Sequence, residues 1–257
     1  MKTNYHTHTS RCNHAGGTDE EYVKYAIETG ITELGFSDHV PQPGFTGIFE
    51  SWFRMRPEET EDYCRSIRSL EEKYADRINV RLGFEVEYYP DCFKALREHL
   101  KPFAPDYFIL GQHFINNEYD GVYVSGGRCT RETLEKYTKQ VCEAVKTGLF
   151  SCITHPDLPS FDISDPYFYD SAAEICLAAK NEGIPVELNL LGIQGNRCYP
   201  KKEFFKVAKE VGCDVILGLD AHSPNSFLCE EHESYARKLL SEAGIAPLEK
   251  LELRRPL

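Results

Sequence analysis

Short apolar runs alternate with longer amphipathic stretches along the whole chain. The apolar runs predict strands near Thr3 to His6, Glu33 to Ser37, Val80 to Glu85, Tyr107 to Gln112, Cys152 to Thr154, Val186 to Leu188 and Val215 to Leu219. Helical patterns fill most gaps: Asp19 to Thr29, Pro57 to Ala75, Asp91 to Leu100, Thr130 to Thr147, Asp170 to Asn181, Lys201 to Val211 and Glu231 to Ala243. Pro57 suits a first helical turn, and Glu58 and Glu59 beside it are favourable against the helix dipole. Helical patterns end in glycine at Gly30, Gly148, Gly183, Gly212 and Gly244, each followed by an apolar residue or Cys. Glycine just past a helix takes the left-handed cap conformation at little steric cost. After the first four of these a short apolar run follows, so the order helix, cap, strand recurs as in βα units of a parallel sheet. No linker or low-complexity segment interrupts the series, which predicts a single domain spanning residues 1–257.

Histidines and two acids mark the ends of these strands. His6 and His8 form an H-x-H pair, and period-two alternation puts both imidazoles on one strand face. His39 closes Ser37-Asp38-His39, with Asp38 placed to orient it. His113 closes Gly111-Gln112-His113, and His155 follows Thr154. Asp220-Ala221-His222 repeats the parity of the first pair. His14 sits in a turn just before Gly16-Gly17. Glu85 lies on an apolar strand, where a carboxylate must be paired or metal-bound; Glu87 shares its face and is the alternative ligand. His99 and His232 fall on charged helical stretches and read as solvent-facing. Such residues follow all but one of the predicted strands. An open sheet gathers its site at one switch point, whereas a barrel converges every strand end on one mouth, so a closed barrel is favoured. A set of N and O donors suits Zn, Mn or Fe, and so hydrolytic chemistry.

Composition narrows the partners. Hydrophobic residues make up 41% of the chain, enough for a packed core, and no apolar run is long enough to cross a membrane. The chain opens Met1-Lys2-Thr3-Asn4 without a charged-then-apolar leader, and its ten cysteines show no C-x-x-C spacing. Reduced core thiols in a cytoplasmic protein are expected. The net charge of −12, with no basic cluster, argues against nucleic acid. A small anionic substrate stays compatible: three divalent ions less two carboxylate ligands leave a local charge of about +4. Homo-oligomerisation is left open.

The series His6-Thr7-His8, Ser37-Asp38-His39, Gly83-Phe84-Glu85, Gly111-Gln112-His113, His155-Pro156-Asp157, Glu187-Leu188-Asn189 and Asp220-Ala221-His222 resembles the polymerase and histidinol phosphatase (PHP) superfamily, in its histidinol-phosphatase branch. The resemblance covers almost the whole chain. It implies an α/β fold, a distorted (β/α)7 TIM-like barrel with two to three divalent transition-metal ions (Zn, Mn or Fe) at its C-terminal mouth. One ion would take His6, His8, Glu85 and Asp220. A second would share Glu85 and add His113 and His155. A third would take His14, His39 and His222. The implied activity is that of a phosphoric monoester hydrolase converting L-histidinol phosphate to L-histidinol and phosphate in histidine biosynthesis. A hydroxide bridging the metals would attack in line, with Glu85, His113, His155 and Asp220 as the catalytic set.

Around that centre the resemblance suggests arginines for the substrate phosphate. Arg197, in the loop after the sixth strand, is the first choice and Arg128, in Ser125-Gly126-Gly127-Arg128, the second. A solvated loop arginine is the plain alternative for each. Glu187 and Asn189 could recognise an ammonium or imidazole group. Asp157 is a candidate leaving-group acid, as is a metal-bound water. The segment from Val40 to Arg56 carries Phe45, Phe49, Trp52 and Phe53 between Gly and Pro residues, and reads equally as a lid or as a cap on the barrel. Other functions remain in view: another small phosphate ester or a nucleotide as substrate, an exonuclease, which the charge disfavours, or a metal-binding module without turnover.

Overall fold

The computed structural model describes residues 1–257. The chain runs β1 (Thr3–Asn4), α1 (Asp19–Glu28), β2 (Glu33–Phe36), α2 (Thr60–Lys73), β3 (Asn79–Val86), α3 (Pro90–Leu100), β4 (Tyr107–Leu110), β5 (Phe114–Ile115), β6 (Val122–Tyr123), α4 (Arg131–Val145), β7 (Cys152–Ile153), α5 (Tyr167–Glu182), β8 (Val186–Asn189), α6 (Leu190–Gln194), α7 (Lys202–Val211), β9 (Val215–Gly218) and α8 (Glu230–Glu242). Each expected strand and helix is present, with ends shifted by a few residues. All five predicted cap glycines take positive φ, from 65° to 82°.

Seven strands form one parallel sheet in the order β1-β2-β3-β4-β7-β8-β9. The two edges meet just beyond the strand ends. Thr7 bridges Ala221 in parallel, His8 N–H donates to Ala221 O at 2.9 Å, and Ala221 N–H donates to His6 O at 3.1 Å. The sheet is thus a nearly closed seven-stranded barrel within a single α/β domain. β2, β4, β8 and β9 are buried along their whole length, as strands covered on both faces must be.

The main core lies between the strands and the helices. A second cluster of Tyr5, Tyr107, Ile109, Cys152, Ile216 and Leu251 fills the barrel interior. Tyr107 is its centre: the hydroxyl donates to Tyr5 O at 2.8 Å and sits 3.1 Å from Phe36 O. Gly35 and Gly83 make room for that ring. A methyl added at Gly83 would come within 2.4 Å of a ring carbon, and one at Gly35 within 2.2 Å of the hydroxyl.

Some features escape the sequence pattern. The β5–β6 hairpin has two residues per strand, and Val122 and Tyr123 are exposed, so no alternation marks it. α6 is a single turn, capped where Asn189 Oδ1 accepts from Gly192 N–H. β1 ends at Asn4, so His6 and His8 lie past the strand; the bridge at Thr7 keeps them aligned. His99 and His232 are half-buried rather than solvent-facing, and His99 Nε2 lies 2.9 Å from Thr60 Oγ1.

Gly83→Ala is expected to cost about 1–3 kcal/mol of stability, because it overpacks against a rigid ring. Gly16→Ala, which meets nothing within 4 Å, should stay within about 0.5 kcal/mol of wild type. Urea midpoints of the two variants check this.

Candidate metal centre

The strand ends bring the marked residues to one mouth. Glu85, near the end of β3, is the hub. Its Oε1 lies 2.8 Å from His155 Nε2, 3.5 Å from His6 Nε2 and 3.9 Å from His113 Nε2. Its Oε2 lies 3.0 Å from His39 Nδ1 and 3.5 Å from His8 Nε2. Asp220 Oδ1 gathers a second group, with His8 Nε2 at 3.1 Å, His222 Nδ1 at 3.2 Å and His6 Nε2 at 3.4 Å. His14 completes the set at the rim, where its Nε2 faces His222 Nε2 at 3.0 Å. The nine residues named from the sequence therefore meet in one cluster.

Several donor atoms there lack a protein partner. His6 Nε2, His8 Nε2, His39 Nδ1, His155 Nδ1, Glu85 Oε2 and Asp220 Oδ1 are all buried without a hydrogen bond. Leaving such atoms unpaired is costly. Two of the six non-glycine residues with positive φ lie in the cluster, His155 (φ 30°) and Asp220 (φ 51°), a conformation that costs a non-glycine residue about 1–3 kcal/mol. Groups that could share an ion, with mutual distances within 4.8 Å, include His6–His8–Glu85, His6–His155–Asp220, His39–Glu85–His113 and His14–His39–His222. The donor set fits a multinuclear transition-metal site.

Acids behind the rings orient them, a recurrent device at metal-type histidines. Glu187 Oε1 lies 2.9 Å from His6 Nδ1, and its Oε2 accepts from His155 N–H at 3.1 Å and from Asn189 Nδ2 at 2.9 Å. Asn189 Nδ2 also reaches Asp220 Oδ2 at 3.1 Å. Glu187 and Asn189 are buried beneath the cluster, a correction to their expected place facing substrate. Asp38 accepts from His39 N–H at 2.8 Å and from Thr9 Oγ1, and it faces His8 Nδ1 at 3.4 Å, so its carboxylate orients His8 rather than the ring of His39. Glu87 is no spare ligand: it pairs with the buried guanidinium of Arg54 and accepts from His113 N–H at 2.9 Å.

Electrostatics follow this packing. Burial opposes ionisation of Glu85 and Asp220, yet the surrounding imidazoles hold both carboxyls well below the usual range. Burial would also raise Glu87, but Arg54 above all keeps it down at about 2. Burial drives His39 well below its ordinary value, and burial together with His222 brings His14 down to about 4. Burial pushes the Asp157 carboxyl up; its Oδ2 accepts from Lys201 N–H at 2.5 Å.

The flanking candidates separate. Arg197 is exposed at the mouth, where its Nη1 donates to Tyr199 Oη at 3.0 Å, and the Tyr199 ring lies 6.1 Å from that of His155. Arg128 is exposed, and its charge contributes to the lowering of the Asp162 carboxyl, behind the hydrogen bonds from Ser164. From the 40–56 segment, Phe53 packs on His39 (ring centroids 4.3 Å), His113 (5.1 Å) and His14 (5.2 Å, nearly coplanar), while Trp52 is 71% exposed. Phe53 takes the capping half of the reading given to this segment, whereas Arg54 as a wall residue went unread in the sequence. The available signal was a lone arginine inside the apolar run Trp52-Phe53-Arg54-Met55.

A seven-stranded barrel whose mouth holds a histidine–carboxylate cluster defines a TIM-like barrel of the metal-site class. Residues 4–190 match the family model of the PHP domain. A "probable histidinol-phosphatase" of Deinococcus radiodurans is 31% identical over 228 residues, 85% of either chain. Another so named, from Schizosaccharomyces pombe, is 28% identical over 273 residues, covering 96% of this chain and 89% of its own. Among solved structures, the histidinol phosphate phosphatase of Lactococcus lactis, complexed with zinc, L-histidinol and phosphate, matches with a TM-score of 0.71 at 20% identity, over 96% of this chain and 95% of its own. The chain belongs to the PHP domain family. That kinship makes it an enzyme of phosphatase type.

Gly111 gives the cluster its space. A methyl there would fall 1.9 Å from Glu85 Oε1. Gly111→Ala should fold yet displace that carboxylate and bind zinc about 10–100-fold more weakly, as measured by competition with a chromophoric chelator.

Proposed function

We propose that this protein is a metal-dependent phosphomonoesterase hydrolysing L-histidinol phosphate to L-histidinol and phosphate, as a cytoplasmic step of histidine biosynthesis. One observation carries the metal requirement. Asp38, Glu85, Glu87, Glu187 and Asp220 are all buried about the cluster, and Arg54 is the one buried guanidinium among them. With the imidazoles neutral, as metal ligands must be, this anionic excess in a dry site calls for cations. The substrate reading is supported by the relatives named histidinol-phosphatases.

His6, His8, Glu85 and Asp220 would hold one ion; Glu85, His113 and His155 a second; His14, His39 and His222 a third. Zn, Mn and Fe suit these donors, and the Lactococcus lactis protein holds zinc. When bound, such ions bring the pKa of water toward neutrality and neutralise phosphoryl charge. The chain's own residues do the rest. Glu187, Asp38 and Glu87 hold the rings of His6, His8 and His113 in register. Phe53 covers three of the rings and excludes water on that side. Arg197, steadied by Tyr199, offers its fork to the phosphate at the mouth. Arg128 is the second candidate for that role and would have to swing in from the surface. No helix is long and apolar enough to cross a membrane.

A second reading keeps the chemistry and changes the substrate to another small phosphate ester. It is favoured by relatives named only "probable phosphatase", such as that of a Shewanella strain at 26% identity over 84% of this chain. Phosphate release from histidinol phosphate against a nucleotide and sugar-phosphate panel decides between them. Turnover on the panel but not on histidinol phosphate promotes the second reading.

Chelator treatment should abolish phosphate release, and added Zn or Mn should restore it; activity that survives metal-free conditions would sink the proposal. His113→Ala should lower kcat by about 100-fold with an unchanged circular dichroism spectrum. Arg197→Ala should raise KM by about tenfold or more, the loss of a charged hydrogen bond. An unchanged KM removes Arg197 from the site.

A further inference from the structure

Arg54 is the largest fully buried side chain in the molecule, and it comes from the aromatic segment after β2 rather than from any strand. Its contacts run in three directions. Nε donates to Glu118 Oε2 at 2.7 Å, Nη1 to Val40 O at 3.1 Å, and Nη2 to Glu87. Every acceptor belongs to a different part of the mouth: the segment's own start, the β5–β6 turn, and the end of β3. Ser51 Oγ also donates to Glu118, at 2.5 Å, which ties the same segment down a second time. Glu87 is held again by Tyr89 Oη at 2.7 Å.

Glu87 in turn faces His113. Its Oε1 accepts from His113 N–H at 2.9 Å and lies 3.2 Å from His113 Nδ1, while His113 Nε2 points the other way, toward Glu85. The ring contact is a close approach rather than a hydrogen bond, since His113 Nδ1 has no partner in line, so Glu87 holds this residue through the backbone N–H bond and through the charge it sets beside the ring. Arg54 also precedes Met55 and follows Phe53, the residue laid across His14, His39 and His113.

We infer that Arg54 is a positioning residue: by clamping Glu87 it orients the His113 imidazole toward Glu85, and by the same clamp it seats Phe53 against the histidine cluster. The 51–56 end of the segment is thus a fixed wall of the site, although the Trp52 ring itself is exposed, and whatever freedom the segment has lies in its outer part, where Ile48 is exposed. This inference rests on the metal-site reading above, since orienting His113 matters only if its Nε2 serves an ion.

The test compares zinc-loaded wild type with Glu87→Gln, Arg54→Lys and the double variant Arg54→Met with Glu118→Gln. Glu87→Gln keeps the shape and leaves Arg54 paired with Glu118. Arg54→Lys keeps the charge but gathers its donors on one nitrogen, which cannot reach acceptors that three separate guanidinium nitrogens serve. The double variant removes the clamp together with one of its buried acids. Three readouts are taken: zinc per chain after dialysis, the rate of zinc loss to a chromophoric chelator, and the long-range 1H–15N signals of the His113 ring. Melting of the metal-free proteins checks folding.

One class of bound zinc should leave about 10–100-fold faster in each folded variant, with the His113 signals shifted and the other zinc released at the wild-type rate. Wild-type release rates and unchanged His113 signals in Glu87→Gln and Arg54→Lys would overturn the inference, whatever the double variant does. Wild-type protein that takes up no zinc would instead overturn the metal-site reading itself, so the two failures are told apart.

Discussion

A single buried carboxylate, Glu85, organises the mouth of this barrel. Five imidazoles approach it within 4 Å, from beyond the ends of β1, β2 and β7 and from the segment between β4 and β5. An ionised carboxylate out of water is tolerable only among positive or hydrogen-bonding partners. Here those partners come from residues far apart in the chain, so the cost of burying Glu85 is offset only when the sheet has curled into a barrel. Gly111 lacks a side chain where the Glu85 carboxylate lies, and Gly218 does the same for Glu187.

Behind the inner cluster stands a second ring of charge. Glu187 backs His6, Asp38 backs His8 and Glu87 backs His113. The arrangement repeats one physical device: a carboxylate set beside the far nitrogen holds the ring, by a direct contact at His6 and His8 and by proximity at His113. These acids deepen the negative field of the pocket, and Arg54 is the one buried guanidinium that opposes it. The protein's overall acidity and its capacity for an anionic phosphate ester are compatible on these terms. The local balance is decided by what the cluster holds, and the surface charge is screened over about 8–10 Å at ordinary salt.

The architecture was readable before any coordinates. Glycine caps, apolar runs and helical spacing are local signals, and each is set by sterics within a few residues. The strands therefore appear where the runs were, and the five cap glycines take the left-handed conformation expected of them. Elements without a local period were missed: the two-residue strands of the β5–β6 hairpin, and α6, whose single turn carries no face. The nine donor residues were legible for a related reason, since polar groups at the ends of apolar strands are conspicuous against the background that surrounds them.

What the chain by itself determined is the inventory: seven parallel strands, alternating helices, and histidines and acids at the strand ends. Only the tertiary structure decided how the acids divide their work. Glu87 has the same strand parity as Glu85, so alternation cannot tell a cluster carboxylate from one that pairs with an arginine. Glu187 and Asn189 were candidates to recognise an ammonium or imidazole group and prove to be buried against His6 and Asp220. Arg54 and Phe53 lie in an irregular segment with no period at all, and the acids that pair with Arg54 are 33 and 64 residues away. Local propensity acts over a few residues, whereas ion pairing and ring packing act through space, and closure of the barrel is what brings those distances to contact.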